Sequence, residues 1–149
     1  MSRSFLHYLH GSRGATTQQA QSPLSNDALF RVQSDVIRDL AERESCIILG
    51  RCADYILRDN PDRISLFLTA DLADRQQRYA DHDGITPAEA LPLITRGDRQ
   101  RADYYNYFTF KKWGDSSSYD LCIDSSKLGD DEMKVVEIIK NYMKTRGIL

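Results

Sequence analysis

The apolar run Cys46-Ile47-Ile48-Leu49 stops abruptly at Gly50 and Arg51. A short apolar run bounded by glycine is typical of a strand buried on both faces, as in a parallel sheet covered by helices. Ligands of such sheets bind beyond the carboxyl ends of the strands. An arginine there is a planar, permanently charged fork that suits a phosphate or a carboxylate. We therefore predict a strand over residues 46–49 and interpret Arg51 as a ligand-binding residue.

Strand and helix patterns alternate along the rest of the chain. We predict two further buried strands at residues 64–68 and 119–123, and helices over 26–43, 53–60, 71–82, 87–107 and 131–144. This alternation predicts an α/β fold, a parallel sheet of about three strands flanked by helices.

Two of the predicted helices have specific sequence support. The first has apolar residues at helical spacing on one face, namely Leu29, Val32, Val36, Ile37 and Leu40. The fourth begins with the capping box Thr86-Pro87-Ala88-Glu89, which has proline at the first helical position. Pro92 lies in its second turn, so we expect the helix to bend or restart there.

Size and composition restrict the class of protein. The chain has 149 residues, and we predict one domain over 1–149, with a flexible segment over 1–25 that is rich in turn-forming residues. Its 20 Lys and Arg against 22 Asp and Glu give a net charge of −2, so no overall field attracts nucleic acid or an anionic membrane. Cys46, Cys52 and Cys122 show no metal-ligand spacing, and we assign no metal-binding residue. We expect a cytoplasmic protein.

The motif Gly50-Arg51-Cys52-Ala53-Asp54 has two interpretations. In the first, Gly50 lets the backbone pass close to a ligand, Arg51 binds an anion, and Asp54 either orients Arg51 or accepts a hydrogen bond from a sugar or base. In the second, Arg51 and Asp54 form a surface ion pair at the end of a strand. The motif alone leaves both open.

A second basic motif lies in the fourth predicted helix. Arg96 and Arg99 share a helix face, whereas Arg101 points about 200° away from Arg99. Arginines that converge on one ligand stabilise a transferring phosphoryl group. A solvated helix face with local aspartate partners is the more common meaning of such a charge run, and taken alone the motif favours it.

Aromatic residues follow the basic motif. They either form a stacking platform for a base or anchor the helix end to the core, and the second role is the more common. They are Tyr104, Tyr105, Tyr107, Phe108, Phe110 and Trp113.

Six segments occur in an order that is typical of one family. They are Ser22–Phe30, Gln33–Ile37, Gly50–Tyr55, Asp98–Tyr105, Trp113-Gly114 and Tyr119–Ser126. Over residues 20–130 the chain resembles the cytidylate kinase-like family, nucleoside monophosphate kinases of the P-loop fold. The shared order is more specific than any single motif.

The resemblance implies phosphoryl transfer from ATP, with Mg²⁺, to CMP or dCMP. It implies that Arg51 holds the acceptor phosphate, that Gly50 and Asp54 belong to the same pocket, and that Gln33 borders it. It also implies a lid whose Arg96, Arg99 and Arg101 close over the phosphates and exclude water. Gln100 and Asp103 depart from the residues that the family usually has in this lid.

The family begins with a strand and a glycine-rich phosphate loop, and this sequence has no such loop. Gly11-Ser12-Arg13-Gly14 does not replace it, because no apolar strand precedes it. The missing first central strand would lie between strands 46–49 and 64–68. Either those strands pair directly, or the chain is a truncated part of a longer kinase, which we favour.

The chain alone is therefore expected to be inactive. The alternative function is a non-catalytic module that binds a nucleotide. The expected partners are a small-molecule nucleotide and either a second copy of the chain or the missing N-terminal segment. Neither nucleic acid nor a membrane is expected to bind.

Overall fold

The computed structural model describes residues 25–129 and 131–149. Helices precede, separate and follow its two strands, which confirms the predicted α/β class. The main elements are α1 (Asn26–Arg43), α2 (Ala53–Ile56), β1 (Leu66–Thr69), α3 (Leu72–Asp83), α4 (Pro87–Thr109), β2 (Leu121–Asp124) and α5 (Glu132–Thr145). The segment Gly11–Gly14, and all of the predicted flexible segment except Ser25, lie outside the described residues.

The sheet is a parallel pair. Leu66 of β1 lies opposite Leu121 of β2, and Thr69 lies opposite Asp124. Among the described residues these two strands form the whole sheet, so β1 has no partner there on its other edge. No helix in the described part of the chain is long and apolar enough to cross a membrane.

The strand predicted for residues 46–49 is wrong. These residues are not in a strand, and Ile47 and Leu49 are 93% and 67% exposed. An apolar run becomes a strand only where a neighbour pairs with its backbone and a second layer covers its side chains. Because β1 pairs with β2 and not with this segment, direct pairing of 46–49 with β1 is wrong as well.

Helix α1 has the predicted bounds but does not bury the predicted face. The Ser25 hydroxyl caps it by accepting a hydrogen bond from the Ala28 N–H at 3.2 Å. Ile37 is buried together with Ser34, whereas the remaining predicted core residues are 39–53% exposed; they are Leu29, Val32, Val36 and Leu40. The periodicity located the helix correctly, but only the packed neighbours decide which part of a broad apolar face is covered.

Helix α4 runs without a break through Pro92, so the expected bend or restart is wrong. Both halves of the capping box are present, since Thr86 accepts from the Glu89 N–H and Glu89 accepts from the Thr86 N–H. Proline removes one backbone donor, that to the Ala88 carbonyl. The capped first turn and packing against α3 support the helix across this one missing bond.

The core joins α1, α2 and α4. It consists of Ile37, Cys52, Ala53, Ile56 and Tyr105. Aromatic rings surround it, with Phe30 stacked on Phe108 at a centroid distance of 4.1 Å and Phe67 at 5.4 Å from Trp113. Most of the aromatic group that follows the basic motif thus anchors the end of α4.

Gly114 is expected to be sensitive to substitution. Its φ is +76°, and an added Cβ would lie 3.1 Å from Cζ of Phe67. Gly114→Ala should lower the free energy of unfolding by about 2–3 kcal/mol, because left-handed strain and a steric clash add together. Urea unfolding followed by fluorescence of Trp113, the one tryptophan of the chain, measures this.

Gly84→Ala is the matched control. Gly84 has a φ of +69°, but nothing lies within 4 Å of an added Cβ. Only the backbone strain remains, so the expected loss is about 1 kcal/mol. Equal losses for the two variants would contradict the role given to the Phe67 contact.

Candidate functional site

The site begins at a left-handed turn between residues 46–49 and α2. Gly50, Arg51 and Cys52 have φ values of +68°, +55° and +57°. Left-handed backbone is unfavourable for residues other than glycine and clusters at functional sites when the surrounding fold enforces it. Here the Ala53 N–H donates to the Gly50 carbonyl at 3.1 Å, and the Cys52 side chain is buried in the core. The turn therefore presents Arg51 outward from a fixed backbone.

Arg51 lies over an aromatic ring. Its guanidinium carbon is 6.0 Å from the centroid of the Tyr104 ring, on α4. The Tyr104 hydroxyl donates to Oε1 of Gln33, on α1, at 3.0 Å. Burial raises the pKa of Tyr104, and the nearby Cys52 adds to the rise, while the charge of Arg51 and its hydrogen bond to the Tyr104 side chain partly oppose it. The structure thus brings the sequence-predicted residues Gln33 and Arg51 together through Tyr104.

Asp54 is bonded to Tyr105 and not to Arg51, its partner in the alternative interpretation as a surface ion pair. Its Oδ2 accepts a hydrogen bond from the Tyr105 hydroxyl at 2.8 Å. Burial, followed by this bond to Asp54, raises the pKa of Tyr105, so the phenol stays protonated and donates at neutral pH. No ion pair joins Asp54 to Arg51 among the described residues, so the guanidinium keeps its charge available.

Behind Asp54, a partly buried polar network connects the turn to the sheet. The Asp54 carbonyl accepts from Nη1 of Arg63 at 3.2 Å, and Nη2 of Arg63 lies 3.6 Å from Asp120. Oδ2 of Asp120 accepts from both the N–H and the hydroxyl of Ser65, each at 2.7 Å. Arg146 lies 3.8 Å from the other Asp120 oxygen. The network fixes α2 relative to the starts of β1 and β2.

The three cysteines should differ in reactivity. Burial, and secondarily the Asp54 charge, raises the pKa of Cys52 to about 12, while Arg51 opposes the rise. Cys46 and Cys122 are exposed instead of lying within the core of a sheet. Since the thiolate is the reactive form, we expect a maleimide at pH 7.5 to label Cys46 and Cys122 rapidly and Cys52 only after unfolding. Mass spectrometry of native and urea-treated protein tests this, and fast native labelling of Cys52 would contradict it.

The three predicted lid arginines do not converge. Arg99 is exposed and lies 3.9 Å from Asp103, while Arg101 lies 3.3 Å from Asp98. Arg96 is exposed and forms no ion pair within the described residues. All three are on the same continuous helix as Tyr104 and Tyr105, so in this structure no hinge separates them from the two tyrosines beside Arg51 and Asp54.

Arg101 instead faces a groove between α3 and α4. The groove has a volume of about 600 Å³, and its basic residues are Arg75, Arg78 and Arg101 together with His82. Arg75 forms a 2.7 Å ion pair with Asp98, the same residue that Arg101 approaches. The groove thus contains three arginines, two of which share Asp98 as an ion-pair partner.

Sequence reasoning missed several residues of this region. Tyr104 and Tyr105 were recognised only as members of an aromatic group, and Arg63, Arg75 and Arg78 were not singled out. The adjacent pair Tyr104-Tyr105 carried a usable signal, because adjacent residues of a helix point about 100° apart and can serve two neighbouring contacts. The sequence contains no such signal for the arginines, because Arg63 pairs with Asp120 and Arg75 with Asp98, and both partners are distant in sequence.

The structure is that of an α/β protein in which an exposed arginine stands on a fixed turn, and its architecture is consistent with a nucleotide kinase. The sequence model of the Cytidylate kinase-like family matches residues 2–127. The chain belongs to this family.

Two relatives support the assignment. A cytidylate kinase from Pyrococcus furiosus is 34% identical over 94 residues, which are 62% of this chain and 47% of the relative. The crystal structure of an uncharacterised protein from Eubacterium ventriosum superposes with a TM-score of 0.74 at 34% identity, over 85% of this chain and 69% of that one. The chain thus spans about half the length of the cytidylate kinase that it matches.

Proposed function

We propose that this chain is the acceptor-binding part of a nucleoside monophosphate kinase that transfers a phosphoryl group from ATP to CMP or dCMP. One observation carries the proposal. Arg51 stands on an enforced left-handed turn, exposed, with its charge unmatched by a carboxylate of the described residues and its guanidinium over Tyr104. Because the chain belongs to the cytidylate kinase-like family, the ligand that we propose for this arginine is the phosphate of the acceptor nucleotide.

Four residues would form the site of the acceptor nucleotide. Arg51 binds the phosphate as a bidentate donor, and Gly50 has no side chain that would obstruct it. Oδ1 of Asp54, to which no described residue donates, accepts a hydrogen bond from the sugar or base. Gln33 borders the nucleoside. Phosphoryl transfer is mostly a matter of positioning and charge neutralisation, which these contacts supply on the acceptor side.

We propose that Arg96, Arg99 and Arg101 belong to a lid that closes over the phosphates. Of the three, Arg101 has the best support from the structure. It shares a groove with Arg75 and Arg78, so three guanidinium groups face one volume. Such a cluster would neutralise phosphate charge as it develops. For Arg96 and Arg99 the support is the family resemblance alone.

ATP and Mg²⁺ would be the donor and the metal ion. When bound with ATP, Mg²⁺ neutralises charge on the phosphates. Among residues 25–129 and 131–149 no group of three or more His, Cys, Asp or Glu is arranged to hold a metal ion. Kinases bind Mg²⁺ through substrate phosphates and one or two carboxylates. The sequence also offers no glycine-rich cradle for the donor phosphates, so these residues do not fit ATP by themselves.

A further strand and phosphate loop, from additional polypeptide, would complete the donor site. The support is the unpaired edge of β1 together with the exposed apolar residues Ile47, Leu49 and Leu68. Exposed strand edges and large apolar patches are features that proteins normally cover. A parallel strand between residues 46–49 and β1 would cover both.

A coupled assay for ADP formation tests the proposal. CMP and dCMP are offered with ATP and Mg²⁺ to the 149-residue chain and to a version extended upstream in the same reading frame. We expect turnover only from the extended protein, and loss of that turnover in its Arg51→Ala variant. Failure of both proteins to phosphorylate any nucleotide would refute the kinase function.

A non-catalytic nucleotide-binding module is the second candidate. Two observations support it: Gln33 and Asp54 are held by hydrogen bonds from Tyr104 and Tyr105, and the sequence has no glycine-rich loop for donor phosphates. Calorimetric binding of CMP to both proteins, lost in Arg51→Ala and without any turnover, would identify this function.

A further inference from the structure

We propose that Tyr104 is a positioning residue: it holds the guanidinium of Arg51 in the place where that group meets the phosphate of the acceptor nucleotide. This inference rests on the function proposed above and names a residue of the same site. It explains how an exposed arginine can be prepared for a ligand without a carboxylate to orient it.

An arginine side chain at the surface normally samples many rotamers, and ordering it opposes ligand binding. Arg51 is exposed, and its backbone is fixed by the turn Gly50–Cys52. The Tyr104 ring, together with its hydroxyl, restricts the rest of the side chain. A cation over an aromatic face is attracted by the negative charge of the ring face.

The Tyr104 ring is itself held from several directions. Its hydroxyl donates to Gln33 at 3.0 Å, and its ring packs against Phe108 at 4.8 Å and edge-on against Phe30 at 6.4 Å. The next residue, Tyr105, is buried and bonded to Asp54. Two adjacent tyrosines of α4 therefore fix the helix against the turn that carries Arg51.

The chemistry of this support suits a phosphate site. A carboxylate partner would occupy the N–H donors of Arg51 and compete with an incoming phosphate. The neutral ring attracts the cation, and the Tyr104 hydroxyl interacts with one side of the guanidinium, so the remaining N–H donors are available for a bidentate contact. Asp54, the carboxylate of the same motif, already accepts from Tyr105.

NMR titrations of the full chain with CMP and with cytidine test the inference. Tyr104→Met keeps an unbranched apolar side chain against Phe30 and Phe108 but removes the ring face, and Tyr104→Leu repeats the test with different packing. We expect each to weaken CMP binding about three- to fivefold and to change cytidine binding less than twofold. In an Arg51→Ala background the same substitutions should have no effect on CMP.

Two further variants serve as controls. Tyr104→Phe keeps the ring, so its CMP affinity should stay within twofold of wild type. Tyr107→Met changes an exposed tyrosine of the same helix and should leave both titrations unchanged.

Equal weakening of CMP and cytidine, or an unchanged effect in the Arg51→Ala background, would overturn the inference while leaving the proposed function intact. So would a CMP affinity that the Tyr104 substitutions do not alter. If the wild-type chain binds no nucleoside monophosphate, the proposed function is wrong and the positioning role falls with it.

Discussion

Replacing Arg51 by alanine is expected to weaken binding of CMP about 30-fold, or about 2 kcal/mol, because hydrogen bonds from a charged donor contribute about 1.5–3 kcal/mol. Arg51 forms no ion pair within the described residues, so its removal leaves no buried partner unmatched. The free energy of unfolding should accordingly change by less than about 0.5 kcal/mol. Isothermal titration calorimetry with CMP, alongside urea unfolding, measures both quantities.

Arg58→Ala is the matched control for this prediction. Arg58 is also an arginine placed over a tyrosine ring, with its guanidinium carbon 4.5 Å from the centroid of Tyr55, but it lies beyond α2 and pairs with Asp59. Its loss should leave the CMP affinity unchanged. Similar losses for Arg51→Ala and Arg58→Ala would show a general charge effect instead of a phosphate site.

Asp120→Ala is expected to lower the free energy of unfolding by about 3 kcal/mol, since it removes an acceptor for charge-assisted hydrogen bonds and breaks a partly buried ion pair. Asp120 receives two bonds from Ser65 and faces Arg63 and Arg146. Nε of Arg63 is already buried without a hydrogen-bond partner in the described structure, so Arg63 has little to replace Asp120. Urea unfolding monitored by Trp113 fluorescence measures the loss.

Asp120→Asn separates charge from hydrogen bonding. The amide oxygen still accepts from Ser65, so we expect a loss of about 1 kcal/mol at pH 7. Asp59→Asn, at an exposed position, should have almost no effect. A loss as large for Asp120→Asn as for Asp120→Ala would assign the stabilisation to charge alone.

The effect of Asp120 should also depend on pH. Burial opposes its ionisation, but the hydrogen bonds from Ser65 and the charges of Arg63 and Arg146 together hold the pKa of Asp120 below its usual value. A carboxyl with a depressed folded-state pKa stabilises the fold fully above its unfolded value of about 3.9 and loses this contribution as the pH falls through the folded value. The stability difference between wild type and Asp120→Asn should therefore be constant from pH 7 to about 5 and shrink below pH 4. A difference that grows in acid would contradict this sign.

Much of the candidate site could be predicted from local sequence. The motif from Gly50 to Asp54 identified the exposed arginine because glycine followed by arginine after an apolar run is a local signal. The role of Asp54 could not be read in the same way. Its partner Tyr105 is 51 residues away, and only the packing of α4 against α2 brings the two together. For the basic motif, helix geometry predicted that Arg101 points away from Arg99, but the sequence could not indicate that Arg101 lies in a groove with Arg75 and Arg78 of another helix.

The sequence by itself determined where the helices and two of the strands form and to which family the chain belongs, because periodicity, capping residues and turn residues act over a few positions. Tertiary structure alone decided whether residues 46–49 become a strand, which face of α1 is covered, and that Tyr104 lies beneath Arg51. These outcomes depend on what packs against each segment. A strand needs a neighbour for its backbone hydrogen bonds, a helix face needs a second layer, and a side-chain contact across 53 positions needs the fold that closes the distance.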